Sequence, residues 1–143
     1  GYASVPLSVK SSISLALTSL NVSVSPLMAE LSARLIVSGQ IDIIIREHKD
    51  KTKERNELFN RYFPSNIYRG NENSIFRWLH LKGSIKGSYF EQAALDKGVQ
   101  VYAAERFAVG NTAAERAVRV AICAPESVEE LEAGLKILHD IMK

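Results

Sequence analysis

The sequence is poor in cysteine and proline, and it contains no long apolar run. Its single cysteine, Cys123, cannot form an internal disulfide, so we expect a reducing compartment, the cytoplasm. No stretch approaches the roughly 18 consecutive apolar residues that a membrane-spanning helix needs, and we expect no membrane partner. These features exclude a disulfide-stapled mini-protein.

A large excess of either charge is also missing. The 143 residues contain 18 Lys and Arg against 16 Asp and Glu, which leaves a net charge of +2. This small excess does not predict that the chain itself binds nucleic acid or anionic lipid. The composition, 46% hydrophobic and 24% charged, is typical of one globular domain, or of one domain and a piece of another. Because the chain starts at Gly1 without an initiator methionine, we expect it to be a fragment.

The first forty residues carry only three charged side chains, those of Lys10, Glu30 and Arg34. Such a segment is expected to pack against another apolar surface, and in a fragment we expect self-association. Residues 6–24 fit both a strand alternation and a helix face, and a helix is preferred. Ser25 is the expected cap and Pro26 the first position of the next helix. The homodimer contact is expected to bury Ile13, Leu17, Leu20 and Val24.

From Ile41 the chain alternates between helical and strand-like segments. A helix over 41–63, ended by Pro64, precedes strands at 66–69 and 74–81. A second helix, with Ser88 and Glu91 as an expected capping box, precedes strands at 99–103 and 117–124. A last helix follows a second expected capping box, Ser127 and Glu130. The order α-β-β-α-β-β-α predicts an α+β fold with helices packed on a small, mostly antiparallel sheet.

The residue that points most directly to chemistry is Arg119. In a strand over 117–124, Val118, Val120 and Ile122 face one way, and Arg119 faces the other way together with Ala121 and Cys123. A planar guanidinium on such a face is suited to bind a carboxylate. From the pattern alone, an ion pair with Glu105 or Glu115, or an arginine in solvent, is the favoured alternative.

Other candidates for chemistry are weaker. His48, His80 and His139 lack the spacing of metal ligands, so we expect no metal site. Cys123 is expected to be a small core residue and not a nucleophile. Phe76, Trp78, Phe90 and Tyr102 are expected in the core, with an aromatic row beside a basic residue as the alternative.

Three stretches, residues 98–110, 117–125 and 127–138, resemble the C-terminal part of pyridoxal-phosphate-dependent class I aminotransferases of fold type I. The phrase Ala104-Glu105-Arg106-Phe107 is closer to MocR-type regulators of the GntR class, which join a winged-helix DNA-binding domain to an aminotransferase-like effector domain. The resemblance implies that residues 1–40 are the end of the large cofactor-binding domain. Residues 41–143 would then be the small C-terminal domain.

By this resemblance, Arg119 matches the arginine that holds the α-carboxylate of a substrate or effector. The lysine that binds pyridoxal phosphate would lie upstream of Gly1, so we expect no catalytic or cofactor-binding residue here and no transamination by this chain alone. On the first helix of the small domain, Ile43, His48 and Lys51 replace the family's usual His, Arg and Tyr. The implied partners are an amino-acid or amine effector, a second copy of the chain, and DNA through an absent N-terminal domain.

Two other readings remain open at this stage. The same fold occurs in plain class I aminotransferases, and only the regulators carry a winged helix upstream. An unrelated α+β interaction module is the third reading, and a different order of helices and strands would favour it.

Overall fold

The computed structural model describes residues 5–20, 25–110 and 113–143 and divides into two compact units, residues 1–45 and 46–143. Helices α1, Leu7–Leu20, and α2, Pro26–Val37, belong to the first unit. Helix α3, Gln40–Tyr62, starts in the first unit and ends in the second. Across the three described stretches, no helix has both the length and the apolar character required to cross a bilayer.

The first unit confirms the preference for a helix at its start, because α1 covers most of the ambiguous segment. Val24, which was expected in the self-association contact, lies outside the described residues. Pro26 opens α2 as predicted, but the side chain of Ser25 makes no capping hydrogen bond. Only the Ser25 carbonyl takes part, accepting the amide of Ala29 at 3.0 Å.

The second unit is built on a four-stranded sheet with the order β1-β2-β4-β3. All three pairings between these strands are antiparallel. The strands are β1, Tyr68–Arg69; β2, Phe76–His80; β3, Tyr102–Ala103; and β4, Ala117–Ala121. Helix α4, Gly87–Leu95, connects β2 to β3, and helix α5, Val128–Ile141, follows β4. The observed order from α3 to α5 confirms the predicted α-β-β-α-β-β-α fold.

One face of this sheet forms the hydrophobic core. As predicted, Val118, Val120 and Ile122 point into it, and all three are buried. The C-terminal half of α3, together with α4 and α5, packs on this core face. The helices contribute Leu58, Phe59, Phe90, Ala94, Leu131, Leu135 and Leu138, and Phe63, directly after α3, joins them. On α5 the three leucines lie on one side of the helix in the core, and Val128 packs against the margin of the core.

Two side chains of α3 hold the strands in place. The guanidinium of Arg55 donates to the carbonyls of Ile122 and Pro125 at 3.1 and 2.8 Å, which fixes the end of β4. The buried amide of Asn56 donates to the carbonyls of Glu72 and Ser74 at 2.8 and 3.1 Å, just before β2. Both central strands are thus anchored to the same helix.

The strands are shorter than the sequence predicts. The segment expected as a strand over 66–69 begins with a 3-10 turn, Ser65–Ile67, and keeps only two strand residues. The strand expected over 99–103 is also reduced to two residues, because the Val99 amide donates back to the carbonyl of Ala94 at the end of α4. A second 3-10 turn, Ala104–Phe107, follows β3 directly.

The cap predicted at Ser127 is confirmed, but the return hydrogen bond of its capping box goes to the residue before the cap and not to Ser127 itself. Ser127 Oγ accepts the amide of Glu130 at 3.1 Å, and Glu130 Oε2 accepts the amide of Glu126 at 2.8 Å. The box predicted at Ser88 and Glu91 is wrong, because α4 begins at Gly87 and its cap is Lys86, two residues before Ser88, which makes no side-chain capping hydrogen bond. Glu91 is bound elsewhere, as the site below shows.

Candidate carboxylate site on the outer face of the sheet

The face of the sheet opposite the core carries a row of polar and aromatic side chains; we call it the outer face and define it by Arg69, Phe76, Trp78, Tyr102 and Arg119. Trp78 pairs with Arg69 on one side and with Arg119 on the other. Arg119 in turn pairs with Tyr102. Because directly paired residues of an antiparallel sheet share a face, one row crosses all four strands.

The guanidinium of Arg119 lies among three aromatic rings. Its Cζ atom is 4.5 Å from the ring centre of Phe76, 4.8 Å from Phe107 and 5.2 Å from Tyr102. Phe76 stands on β2 and Tyr102 on β3, the two neighbours of β4, so rings flank the guanidinium on both sides. A ring over a guanidinium contributes about 0.5–1 kcal/mol, and more where water is excluded.

Within the described parts of the chain, Arg119 forms no ion pair and its buried Nε–H has no acceptor. Both carboxylates considered as its partners are bound to other groups. Glu115 accepts the indole N–H of Trp78 at 3.0 Å and lies 3.5 Å from a guanidinium nitrogen of Arg69. Glu105 accepts the backbone amide of Ser88 at 3.3 Å. The predicted alternative, a pairing of Arg119 with either residue, is therefore wrong for this structure.

This arrangement is suited to bind an anion and not to transfer a proton. The three rings that contact Arg119 include no carboxylate, imidazole or amine, the groups that most often transfer protons at neutral pH. They neutralise none of its charge, so the fork of N–H donors retains its preference for a planar carboxylate. Each charge-assisted hydrogen bond to such a carboxylate contributes about 1.5–3 kcal/mol.

Of the four aromatic residues that were expected in the core, one lies there and three lie on the outer face. Phe90 is fully buried in the core, as predicted. Phe76 is 40% exposed, and Trp78 and Tyr102 are half-buried on the outer face. The prediction that they belong to the core is wrong, and the alternative of an aromatic row beside a basic residue is confirmed. The alternation of β2 puts Phe76 and Trp78 on one face, but it does not indicate whether the helices cover that face or the opposite one.

Cys123 is exposed, so the prediction of a small core residue is also wrong. Its Sγ atom lies 3.6 Å from the hydroxyl of Thr52. The strand ends at Ala121, and Arg55 holds the carbonyls on either side of Cys123, so the chain turns before a further residue can join the sheet.

Arg77, which also lies against aromatic rings and has an Nε–H without an acceptor among the described residues, was not predicted from the sequence. Arg77 is only 2% exposed, and its Cζ atom lies 4.8 Å from the ring centre of Tyr68 and 5.8 Å from Phe59. Burial lowers the pKa of Arg77, but its normal value is so high that the side chain stays charged. Gly70 makes room for it, since a Cβ atom there would come 3.0 Å from a guanidinium nitrogen.

Within the described residues, two further features were compared with the requirements of a site, the possible metal ligands and a surface groove away from Arg119. In residues 5–20, 25–110 and 113–143, no cluster of three or more His, Cys, Asp or Glu side chains is arranged to hold a metal ion. A surface groove of about 390 Å³ runs between α5 and residues 97–101. Its lining is mainly aliphatic and does not include Arg119, and it lacks the converging polar groups of a specific ligand site.

Comparisons with known proteins found a relative in sequence and solved structures with a related fold. No family model matches the chain. The chain is 53% identical over 141 residues to a protein of Bacillus subtilis (strain 168) described as an uncharacterized HTH-type transcriptional regulator, YdeF. The match covers 99% of this chain but only 30% of that regulator. A crystal structure of an archaeal alanine:glyoxylate aminotransferase matches 67% of this chain and 23% of its own, with a TM-score of 0.54 and 20% identity.

These findings confirm the predicted resemblance. The sequence relative is an HTH-type transcriptional regulator, and the solved structure with the matching fold is an aminotransferase. At 20% identity the second match establishes the fold alone. The predicted fold class, an α+β arrangement like the small domain of the aminotransferases, is therefore confirmed.

Proposed function

We propose that this chain is the C-terminal part of the aminotransferase-like effector domain of a MocR-type, GntR-class transcriptional regulator, and that Arg119 holds the carboxylate of its amino-acid effector. Two features support the first part. The relative is an HTH-type regulator, and the fold is that of an aminotransferase. MocR-type proteins combine these two features. The plain aminotransferase reading has only the fold in its favour.

The single observation that carries the second part is the state of Arg119. A half-buried guanidinium without a protein carboxylate, held between rings from two neighbouring strands, retains its hydrogen-bonding fork for a ligand. Buried polar groups are normally satisfied, so an unmatched donor at this position favours an external acceptor. An effector that binds Arg119 more tightly in one conformation of the intact regulator shifts it toward that conformation.

The proposed organisation follows the same reasoning. Residues 1–40 form the end of the large cofactor-binding domain, and residues 41–143 form the small domain. DNA binding belongs to a winged-helix domain outside this chain, and the regulator acts in the cytoplasm as a homodimer. For this chain, the expected self-association through Ile13, Leu17 and Leu20 stays a prediction, and sedimentation velocity at high concentration checks it.

Pyridoxal phosphate, which the resemblance implies for the full-length protein, needs a lysine amine and a cradle for its phosphate. The side chains around Arg119 provide neither, since its contacts are aromatic. They fit the carboxylate of a compound bound beside the cofactor and not the cofactor itself. We therefore assign the cofactor contacts to residues outside this chain and derive no step through them.

The test uses the chain labelled with ¹⁵N-arginine. The Nε–H resonance of Arg119, assigned with an Arg119→Lys variant, is followed during titration with acetate and with neutral acetamide at constant ionic strength. Two charge-assisted hydrogen bonds predict a Kd on the order of 10 mM for acetate. Arg61→Gln, an exposed change on α3, is the matched control and keeps the response. A response equal for acetate and acetamide, or none, overturns the proposal for Arg119.

The regulator is distinguished from the plain enzyme by the coding sequence upstream of residue 1. A winged-helix domain there supports the regulator. A start codon placed directly before the large domain, with no DNA-binding domain, overturns it.

A further inference from the structure

We propose that Glu91 on α4 is a positioning residue for the Arg119 site, acting through Arg106 and Phe107. This role rests on the proposed function, because it concerns the affinity of Arg119 for a carboxylate. It also gives a structural meaning to the phrase Ala104-Glu105-Arg106-Phe107, the 3-10 turn that we call the 104–107 turn.

The Glu91 carboxylate accepts hydrogen bonds from the residue directly before this turn and from Arg106 within it. Its Oε2 accepts the backbone amide of Ala103 at 2.8 Å, directly before the turn. Its Oε1 accepts from Arg106 Nη2 at 2.6 Å and from Arg106 Nε at 2.9 Å. The Glu91 side chain is only 16% exposed, whereas that of Arg106 is 60% exposed. The bidentate hydrogen bonds from Arg106 lower the pKa of Glu91, so the carboxylate stays charged and holds the turn at neutral pH.

A second attachment holds the other side of the turn. Glu105 Oε1 accepts the amide of Ser88 in the first turn of α4 at 3.3 Å. The approach depends on Gly87, because a Cβ atom there would contact the Glu105 carboxylate and lie 2.9 Å from the carbonyl of Ala117. Consecutive residues of the 104–107 turn therefore bind to successive turns of the same helix, and little freedom remains between them.

The last residue of the turn reaches the site. The ring centre of Phe107 lies 4.8 Å from Arg119 Cζ and 5.7 Å from the ring centre of Trp78, edge to face. Arg106 also lies over Tyr102, at 5.6 Å, while Arg119 contacts the same ring at 5.2 Å. Glu91 thus has two effects. It fixes the ring that covers Arg119, and it neutralises the second guanidinium next to Tyr102.

The experiment compares Glu91→Gln, Arg106→Gln and Phe107→Leu by two readouts. The first is the emission of Trp78, the sole tryptophan, which lies against Phe107. The second is the acetate response of Arg119. We expect each variant to shift the emission to the red and to raise the Kd for acetate about threefold or more, since each loosens the preorganised site. Adding Glu91→Gln to Phe107→Leu is expected to change neither readout further.

Arg106→Gln is the milder variant, because it keeps the hydrogen bond from Ala103 to Glu91. If Glu91→Gln and Arg106→Gln reduce thermal stability but leave both the emission and the Kd unchanged, Glu91 has a structural role only and the inference fails. If the unmodified chain does not respond to acetate, the proposed function fails instead. The Trp78 emission of the variants then still decides whether Glu91 positions Phe107.

Discussion

Arg77 and Arg119 lie on opposite faces of the same sheet, and they differ in how far their guanidinium groups are exposed. Arg77 on the core face and Arg119 on the outer face both lie against aromatic rings, and both have an Nε–H without an acceptor in the described residues. Arg77 is sealed by α3 and the turn at Gly70, whereas Arg119 stays half-exposed. The difference indicates that aromatic contact alone does not mark a binding site. Access to the guanidinium decides between a structural and a binding role.

The largest expected effect is a difference in the free energy of unfolding when each of these two arginines is replaced by alanine. Arg77→Ala is expected to cost roughly 2–4 kcal/mol in the free energy of unfolding, because it removes a buried side chain packed on Tyr68 and Phe59. Arg119→Ala is expected to stay within about 1 kcal/mol of the unmodified chain. Urea unfolding measures both.

A conservative variant sharpens this comparison. Arg77→Met keeps most of the packing and removes a charge that lacks a partner, so we expect a change near zero. A loss as large as that of Arg77→Ala would show that the charge itself stabilises the core face.

The next effect concerns the contact between α4 and the 104–107 turn. Gly87→Ala is expected to destabilise the chain by about 1–3 kcal/mol, because its Cβ would press on the Ala117 carbonyl, which cannot move without shifting β4. Gly134→Ala in α5 is the control, and it is expected to change the stability in the opposite direction. Its Cβ would meet only Val99, at an ordinary 4.0 Å, and replacing a helical glycine is expected to add about 0.5–1 kcal/mol. Thermal unfolding of the two variants checks this difference.

A smaller effect is expected in the pH dependence of stability. The hydrogen bonds from Arg106 lower the pKa of Glu91 in the folded chain. The unfolded state therefore binds this proton more readily. The contribution of Glu91 is full above the unfolded pKa of about 4.3 and is lost as the pH falls through the lower folded value.

Glu91→Gln is accordingly expected to cost about 1–2 kcal/mol at pH 7 and progressively less below pH 4. Chemical unfolding at pH 7, 5 and 3 measures the difference from the unmodified chain. Arg77→Met, on the core face, is expected to leave this pH dependence unchanged. A difference between Glu91→Gln and the unmodified chain that does not vary with pH would contradict the prediction.

The fold could be predicted from the sequence more completely than the site, because the fold depends on local periodicity and the site depends on how separate elements pack. The buried positions of β4 and α5 follow periods of 2 and 3.6, which depend only on local geometry. The position of Phe76 and Trp78 depends on which face of β2 the helices cover, and no local pattern specifies that. Arg77 contradicts the simple rule that charge is exposed, because rings replace its counter-ion.

Arg119 itself was found from the alternation of β4, but its neighbours were not. Phe107 approaches along a turn whose conformation is imposed by Glu91, sixteen residues earlier in the chain. Contacts of this kind arise only when separate elements come together. A sequence pattern therefore identifies the arginine of the site but does not identify the aromatic residues that surround it.

The smallest expected effect concerns two serines that have similar sequence patterns but differ in whether they cap a helix. It shows again that a local pattern does not specify every contact. Ser127 and Ser88 are each followed three residues later by a glutamate, yet only Ser127 accepts the amide at that position. Ser127→Ala is expected to cost about 1 kcal/mol, and Ser88→Ala is expected to cost almost nothing. Thermal unfolding of both variants measures the contrast. An equal loss from both would mean that the Ser88 hydroxyl does cap α4, which contradicts the start of this helix at Gly87.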